Sequence, residues 1–89
     1  MKVNFAHIRE RSTTGNYINF AVFEFKPSNG NYQVAIAQLT KKAISAGLKV
    51  DKAALAFPEG NRYRFIGPKD LTNYLSKNGV PRWNKTLSI

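Results

Sequence analysis

The side chains that could perform acid–base or metal chemistry are few and widely spaced. His7 is the only histidine in the 89 residues, and cysteine is absent, which excludes thiolate nucleophiles, disulfides and cysteine-bound zinc. The nearest carboxylate along the chain, Glu10, would lie on the opposite face of a strand from His7 and could not activate it there. The five acidic residues show no spacing typical of a carboxylate pair or a divalent cation site. We therefore expect no catalytic residue, cofactor or metal, and we expect His7 to be a packed or edge residue.

Positive charge is the strongest chemical feature of the chain. Fourteen Lys and Arg stand against five Asp and Glu, which gives a formal charge of +9. Such an excess attracts anionic partners, of which nucleic acid is the commonest and acidic proteins come next. The sequence contains no Walker or G-x-G-x-x-G pattern, no GXXG loop, no RNP aromatic signature and no helix-turn-helix pattern. The expectation of a nucleic-acid-binding protein with little sequence specificity therefore rests on no named motif.

The C-terminal third is the densest in basic residues, with six of them against the single carboxylate Asp70 from residue 62 onwards. Cations neutralise phosphates, and an exposed aromatic ring can stack a base for about 1–3 kcal/mol. Trp83 follows a predicted helix stop and could supply such a ring, whereas Lys69 lies at a helix start, where backbone N–H groups can hold an anion. The predicted contact residues are Arg62, Arg64, Lys69, Arg82, Trp83 and Lys85.

Two alternatives weaken this interpretation. Tyr63 and Tyr74 have the spacing of core residues, and a tryptophan in a small domain usually closes one end of the core. The second alternative is a protein-binding adaptor or inhibitor, as in small basic proteins of mobile elements, that docks on an acidic surface with Trp83 as its anchor. An open sheet edge could also add a strand from a partner or from a second copy, which would give a homodimer.

The elements that must position these residues are separated by the glycines. Alternation predicts a strand from Val3 to Arg9, and Tyr17 to Lys26 is apolar on both faces, which is typical of a central strand covered on both sides. These two strands should form a hairpin. A helix should follow, with Asn31 or Asn29 as its N-cap and Gly47 beyond its end. Its apolar stripe is predicted to be Ile36, Leu39, Ala43 and Ala46.

The second half of the chain repeats this order. Strands from Lys49 to Phe57 and from Arg62 to Ile66 are predicted around a turn from Pro58 to Asn61. A second helix should begin at Pro68 and end at Asn78-Gly79, because Val80-Pro81 forbids its continuation. The tail from Arg82 to Ile89 can add a short last strand.

The order ββα–ββα with a short final strand predicts one α+β domain, a mostly antiparallel sheet packed by two helices. The chain has no apolar run of about 18 residues, so no membrane-spanning segment is expected. No stretch near the start resembles a signal peptide, and the lack of cysteine fits a reducing compartment, so the expected location is the cytoplasm.

Overall fold

Seven elements follow one another in the predicted order, and the computed structural model describes residues 1–79 and 81–89. Val80, half of the predicted helix stop, therefore lies outside the described residues. The predicted α+β fold is confirmed, including the short final strand. The elements are β1 (Lys2–Arg11), β2 (Tyr17–Glu24), α1 (Tyr32–Ser45), β3 (Lys52–Glu59), β4 (Arg62–Ile66), α2 (Lys69–Asn78) and β5 (Lys85–Ser88).

The five strands form one sheet in the order β4-β3-β2-β1-β5. Both predicted hairpins are present, because β1 pairs antiparallel with β2 and β3 pairs antiparallel with β4. The tail strand β5 also pairs antiparallel with β1, and β2 pairs with β3 in parallel. A parallel pair needs a crossover connection, and α1 supplies it. The last two strands along the chain, β4 and β5, therefore occupy opposite edges of the sheet.

The central strand β2 is buried on both faces, as its two-sided apolar sequence predicted. Ala21 and Phe23 belong to a cluster with Leu39 of α1, and this face of the sheet is called the α1 side below. Phe20 and Val22 belong to a second cluster with α2, and that face is called the α2 side. The sheet is thus a middle layer with one helix on each side.

Both ends of helix α1 are capped by residues directly next to it in the chain. The Asn31 side-chain oxygen accepts from the backbone N–H of Val34 at 3.4 Å, as predicted for an N-cap. The helix ends at Ser45, and Gly47 has a φ of +92°, while the N–H of Leu48 donates to the carbonyl of Ala43. This Schellman arrangement turns the chain away before Ala46 can contact the sheet.

The predicted apolar stripe of α1 is therefore partly wrong. Leu39 and Ala43 are buried, but Ala46 lies beyond the helix end and is exposed. Ala35, which was not predicted, is buried beside them, whereas Ile36 is only half-buried. The buried stripe is Ala35, Leu39 and Ala43, which keeps two of the four predicted residues.

The predicted turn from Pro58 to Asn61 is also wrong in extent. Strand β3 continues to Glu59, with Pro58 opposite Tyr63. Proline is tolerated here because the pairing of β3 with β2 stops at Ala56, so Pro58 has a neighbouring strand on one edge only. The turn is reduced to two residues and begins at Gly60, whose φ of +63° fits the first position of a type II′ turn.

The start of α2 is set by a close backbone contact. Gly67 crosses β3 so tightly that a Cβ there would lie 2.8 Å from the Cβ of Ala54. Pro68 is the N-cap, so α2 begins at Lys69, one residue after the start that the sequence predicted. Leu71 and Leu75 are fully buried and Tyr74 is half-buried, which confirms the predicted stripe of α2.

Candidate anion-binding surface

The α1 side of the sheet carries most of the positive charge. Side chains alternate along each strand, so the pairing registers assign every charged strand residue to a side. The amine of Lys26 lies over the Phe57 ring, and the backbone carbonyl of Lys49 contacts His7; both Phe57 and His7 face α1. Nine of the fourteen Lys and Arg lie on the α1 side, namely Arg9, Arg11, Lys26, Lys41, Lys42, Lys49, Arg62, Arg64 and Lys85.

The acidic residues show the opposite distribution. Only Asp51 and Glu59 lie on the α1 side, whereas Glu10, Glu24 and Asp70 lie on the α2 side. The basic residues of the α2 side are Lys2, Lys52, Lys69 and Lys77, and Arg82, in the segment between α2 and β5, is assigned to neither side. The α2 side is therefore close to neutral, and the net positive charge of the protein is concentrated on the α1 side.

The carboxylates of the α2 side are used in contacts that hold the fold together. Asp70 at the start of α2 pairs with Lys52, and this hydrogen bond lowers the pKa of Asp70. Glu24 accepts a hydrogen bond from the hydroxyl of Tyr63 at 2.8 Å, which raises the pKa of that phenol, with a further contribution from burial. Burial also raises the pKa of Tyr74, and the neighbouring Glu10 adds to this effect.

On the α1 side, the two carboxylates neutralise little of the positive charge. Asp51 accepts the backbone N–H of Asn19 at 2.8 Å, which fixes the start of β3 against β2. Glu59 lies 3.4 Å from the guanidinium of Arg64. Within the described residues, Arg64 is the only basic side chain of the α1 side with a carboxylate oxygen inside 4.0 Å. The other eight are available to an anionic partner.

The first concentration of charge is the hairpin cluster, which consists of Arg9, Arg11 and Tyr17. The guanidinium carbon of Arg9 lies 3.9 Å from the centre of the Tyr17 ring, and that of Arg11 lies 5.8 Å from it. Strand pairing explains this geometry, because Arg11 is directly opposite Tyr17 and Arg9 is two residues further along the same face. Tyr17 is 50% exposed.

This cluster lies at a projecting end of the sheet. Strand β5 pairs only with Lys2 to Phe5 of β1, and β3 begins its pairing with β2 at Phe20. The part of the hairpin beyond these points is two-stranded, so its side chains have few neighbours. The turn at its tip is ordered by backbone hydrogen bonds between Ser12 and Asn16 and between Gly15 and Ser12.

The second concentration is the β4 cluster, which consists of Lys26, Arg62, Arg64 and Tyr32. The Arg64 guanidinium carbon lies 5.7 Å from the centre of the Tyr32 ring, which stacks on Phe57 at 6.0 Å. The Lys26 amine lies 5.5 Å from the centre of the Phe57 ring. Helix α1 starts at this cluster, and the connection after its end contacts His7 near the hairpin cluster.

The six residues predicted from the sequence do not share one surface. Arg62 and Arg64 are together in the β4 cluster. Lys85 belongs to β5 at the opposite edge of the sheet, roughly 19 Å away if each strand spacing is about 4.8 Å. Lys69 begins α2 on the other side of the sheet, and Arg82 is exposed in the segment between α2 and β5.

Trp83 is half-buried and packs against the α2-side cluster of Phe20, Val22 and Leu71. Tyr63 and Tyr74 pack there as well. Trp83 therefore covers apolar side chains, as in the alternative interpretation that a tryptophan in a small domain closes one end of the core. A base-stacking role for Trp83 stays a prediction.

The sequence reasoning missed the hairpin cluster, although a signal was present. Arg9 and Arg11 are two residues apart on a strand, so they must share a face, and Tyr17 opens the next strand of the same hairpin. The hairpin register alone would have placed the three side chains together. The predicted strand ended at Arg9, whereas β1 continues to Arg11, so the face that the two arginines share was not recognised.

His7 has the packed position expected from its strand. Its Nε2 lies 2.8 Å from the carbonyl oxygen of Lys49, and the residue is half-buried. Among residues 1–79 and 81–89, no group of three His, Asp or Glu side chains converges as metal ligands would. Neither helix described here has the length and apolar character needed to cross a membrane.

Comparisons with models of protein families, with curated proteins and with solved structures each find no match. The feature of the structure that bears on function is the distribution of charge over the two sides of the sheet. That distribution is a property of the fold, because the strand registers create it.

Proposed function

We propose that this protein is a small, non-catalytic nucleic-acid-binding protein of the cytoplasm that holds phosphates on its α1 side. The observation that carries the proposal is the segregation of charge, with nine basic residues and two carboxylates on one side of the sheet. A surface of one sign raises the local concentration of oppositely charged ligands and accelerates their association.

The arrangement of the charges also supports a polymeric anion. The β4 cluster and the hairpin cluster lie towards the two ends of α1, and Lys41 and Lys42 are exposed on the helix between them. A helix of 14 residues is about 21 Å long at 1.5 Å per residue. A phosphate chain could therefore contact both clusters and the helix at once, whereas a small anion could reach only one of them.

Little sequence specificity is expected from such a surface. Lysine and arginine contacts to phosphate set the affinity and the orientation of a nucleic acid, but they carry no information about its bases. Binding should weaken steeply with salt, because each neutralised phosphate releases counterions. Of the sequence-predicted residues, Arg62, Arg64 and Lys85 take part in this proposal as members of the α1 side.

The test is fluorescence anisotropy with a labelled oligonucleotide across a range of salt concentrations. The double variant Lys41→Ala/Lys42→Ala should bind more weakly and show a shallower salt slope, by about one unit or more for two lost phosphate contacts. The control Lys2→Ala/Lys77→Ala removes the same two charges from the α2 side and should bind much as the unaltered protein does. Equal losses in the two variants would contradict a specific role for the α1 side.

An acidic protein surface is a second candidate partner, and one observation favours it. Ile44 of α1 is 52% exposed and lines a groove of about 680 Å³ together with Lys41, and Val34 in the first turn of α1 is 45% exposed. Exposed apolar side chains among cations suit an adaptor or inhibitor interface better than a phosphate track. Capture of one stoichiometric protein partner that survives nuclease treatment, without oligonucleotide binding, would favour this function.

A homodimer through the sheet edge is a separate proposal. The outer edge of β1 from Ala6 to Arg11 has no paired strand within the described residues, since β5 pairs only as far as Phe5. Such an edge can accept a strand from a second copy. Light scattering at two protein concentrations distinguishes a dimer from a monomer directly.

A further inference from the structure

We infer that the hairpin cluster is a single-strand site, in which a base stacks on Tyr17 while Arg9 and Arg11 contact neighbouring phosphates. This inference rests on the proposed nucleic-acid-binding function and assigns to one place on the α1 side a ligand of defined chemistry, an unpaired nucleobase. It differs from the sequence prediction, which assigned the stacking role to Trp83.

The choice of Tyr17 follows from the exposure of the aromatic side chains. Tyr17 is 50% exposed, and it is the only aromatic residue among the exposed large apolar residues of the described chain. The other rings near basic residues are already engaged. Tyr63 donates to Glu24, Trp83 packs on the α2-side cluster, and Tyr32 stacks on Phe57. Tyr17 is therefore the ring with the most surface left for a ligand.

The two arginines are placed as phosphate ligands rather than as partners of carboxylates. Neither Arg9 nor Arg11 has a carboxylate oxygen within 4.0 Å among the described residues. The Nε of Arg11 donates weakly to the carbonyl of Gly15 at 3.4 Å, which holds the side chain over the hairpin and leaves its remaining donors free. Guanidinium groups pair with phosphate in a planar, two-point geometry.

Strand pairing fixes the relative positions of Arg9, Arg11 and Tyr17 in the absence of a ligand. Tyr17 and Arg11 are partners in the β1–β2 ladder, and Arg9 is held by its pairing with Asn19. The guanidinium of Arg9 already stacks on the Tyr17 ring at 3.9 Å, so that a base can extend an existing stack. A preorganised site avoids part of the ordering cost of binding.

A stacking site at Tyr17 should distinguish single strands from duplexes. In a duplex the faces of the bases are covered by their neighbours, whereas an unpaired base can leave the stack and present its face to an aromatic ring. Phosphate contacts alone do not make this distinction. A preference for single strands should therefore depend on Tyr17, while overall affinity and salt dependence should depend on the basic residues.

The first experiment compares Tyr17→Leu with Tyr17→Phe. The ligands are a labelled oligothymidylate of about 12 nucleotides, within the range that one small single-strand site covers, and a duplex of equal length. Tyr17→Leu should weaken single-strand binding about tenfold, with the salt slope and the duplex affinity unchanged. Tyr17→Phe keeps the ring and should bind as the unaltered protein does. Loss of binding in Tyr17→Phe as well would overturn the stacking role.

The second experiment needs no variant. When a base stacks on Tyr17, its ring current should move the Tyr17 ring proton resonances upfield during a titration with the oligothymidylate. If backbone resonances elsewhere on the α1 side move and those of the Tyr17 ring do not, the inference is wrong while the proposed function stands. If neither single strands nor duplexes bind at low salt, both the function and the inference are wrong.

Discussion

The hydroxyl of Tyr63 on β4 donates to the carboxylate of Glu24 on β2 at 2.8 Å, across the intervening strand β3. The side-chain amide of Asn4 on β1 donates to the same carboxylate at 3.4 Å. One acidic residue thus links three strands on the α2 side. This hydrogen bond makes Tyr63, whose spacing predicted a core residue, part of the contacts that hold the fold together.

Replacing Tyr63 by phenylalanine should lower the free energy of unfolding by about 1 kcal/mol, the usual net value of one such hydrogen bond. The folded state raises the pKa of Tyr63, mainly through the hydrogen bond to Glu24. The stabilising contribution is therefore complete below about pH 10, where the phenol of the unfolded chain titrates, and is lost as the pH rises through the folded value.

Urea denaturation at neutral and alkaline pH measures both effects. Tyr63→Phe should lose less stability on alkaline titration than the unaltered protein does. Tyr17→Phe, which removes the hydroxyl of an exposed tyrosine, is the matched control and should change neither quantity. Identical alkaline curves for Tyr63→Phe and the unaltered protein would show that the Glu24 contact contributes nothing to stability.

The Lys52–Asp70 pair should make stability sensitive to acid. The hydrogen bond from Lys52 is the main cause of the lowered pKa of Asp70, and the backbone N–H of Leu71 adds to it. A carboxyl with a lowered pKa contributes stability above its ordinary value of about 4, and this contribution is lost as the pH falls through the folded value. Asp70→Asn should therefore lower stability at neutral pH and flatten the acid limb of the curve.

The measurement is the urea midpoint from neutral pH down to about pH 3, below the ordinary pKa of aspartate. Lys52→Met tests the same pair from its other member and should reduce the acid sensitivity in the same direction. An acid limb that stays as steep in both variants as in the unaltered protein would exclude this pair as its source.

Gly67→Ala should destabilise the protein because the added methyl group has no room. A Cβ at this position would lie 2.8 Å from the Cβ of Ala54 and 3.0 Å from the carbonyl oxygen of Ala53. Overlap of this kind in a packed core costs about 1–3 kcal/mol. The thermal midpoint should fall accordingly.

A second substitution separates this overlap from other effects. Ala54→Gly removes one of the two clashing methyl groups, so the double variant should be more stable than the sum of the single losses predicts. Strict additivity of the two losses would contradict the contact as the cause.

The elements of the fold could largely be predicted from local patterns. The two-sided apolar run of β2 indicated a central strand, and Asn31 and Gly47 marked the ends of α1. The errors concern residues that fit a local sequence pattern which the folded chain does not follow. Pro58 reads as a turn residue, yet it lies in β3 where the pairing with β2 has already stopped. Ala46 continues a helical spacing, yet the cap at Gly47 turns the chain first.

The binding surface was less predictable because it depends on the order of strands in the sheet. Residues 62 to 85 are close in sequence, but β4 and β5 end at opposite edges. Leu87 opposite Val3 fixes β5 beside β1, and that long-range pairing carries Lys85 away from Arg62 and Arg64. The hairpin cluster, by contrast, follows from a register between neighbouring strands and could have been derived.

Binding of an anionic polymer on the α1 side can be located by mapping backbone amide shifts on the ¹⁵N-labelled protein. The ligand is the oligothymidylate, added at low salt. We expect shifts in the hairpin around Arg9 and Tyr17, along α1 at Lys41 and Lys42, and at the β4 cluster, with α2 unaffected. Shifts confined to α2 and to the segment with Arg82 and Trp83, or no shifts at all, would contradict this expectation.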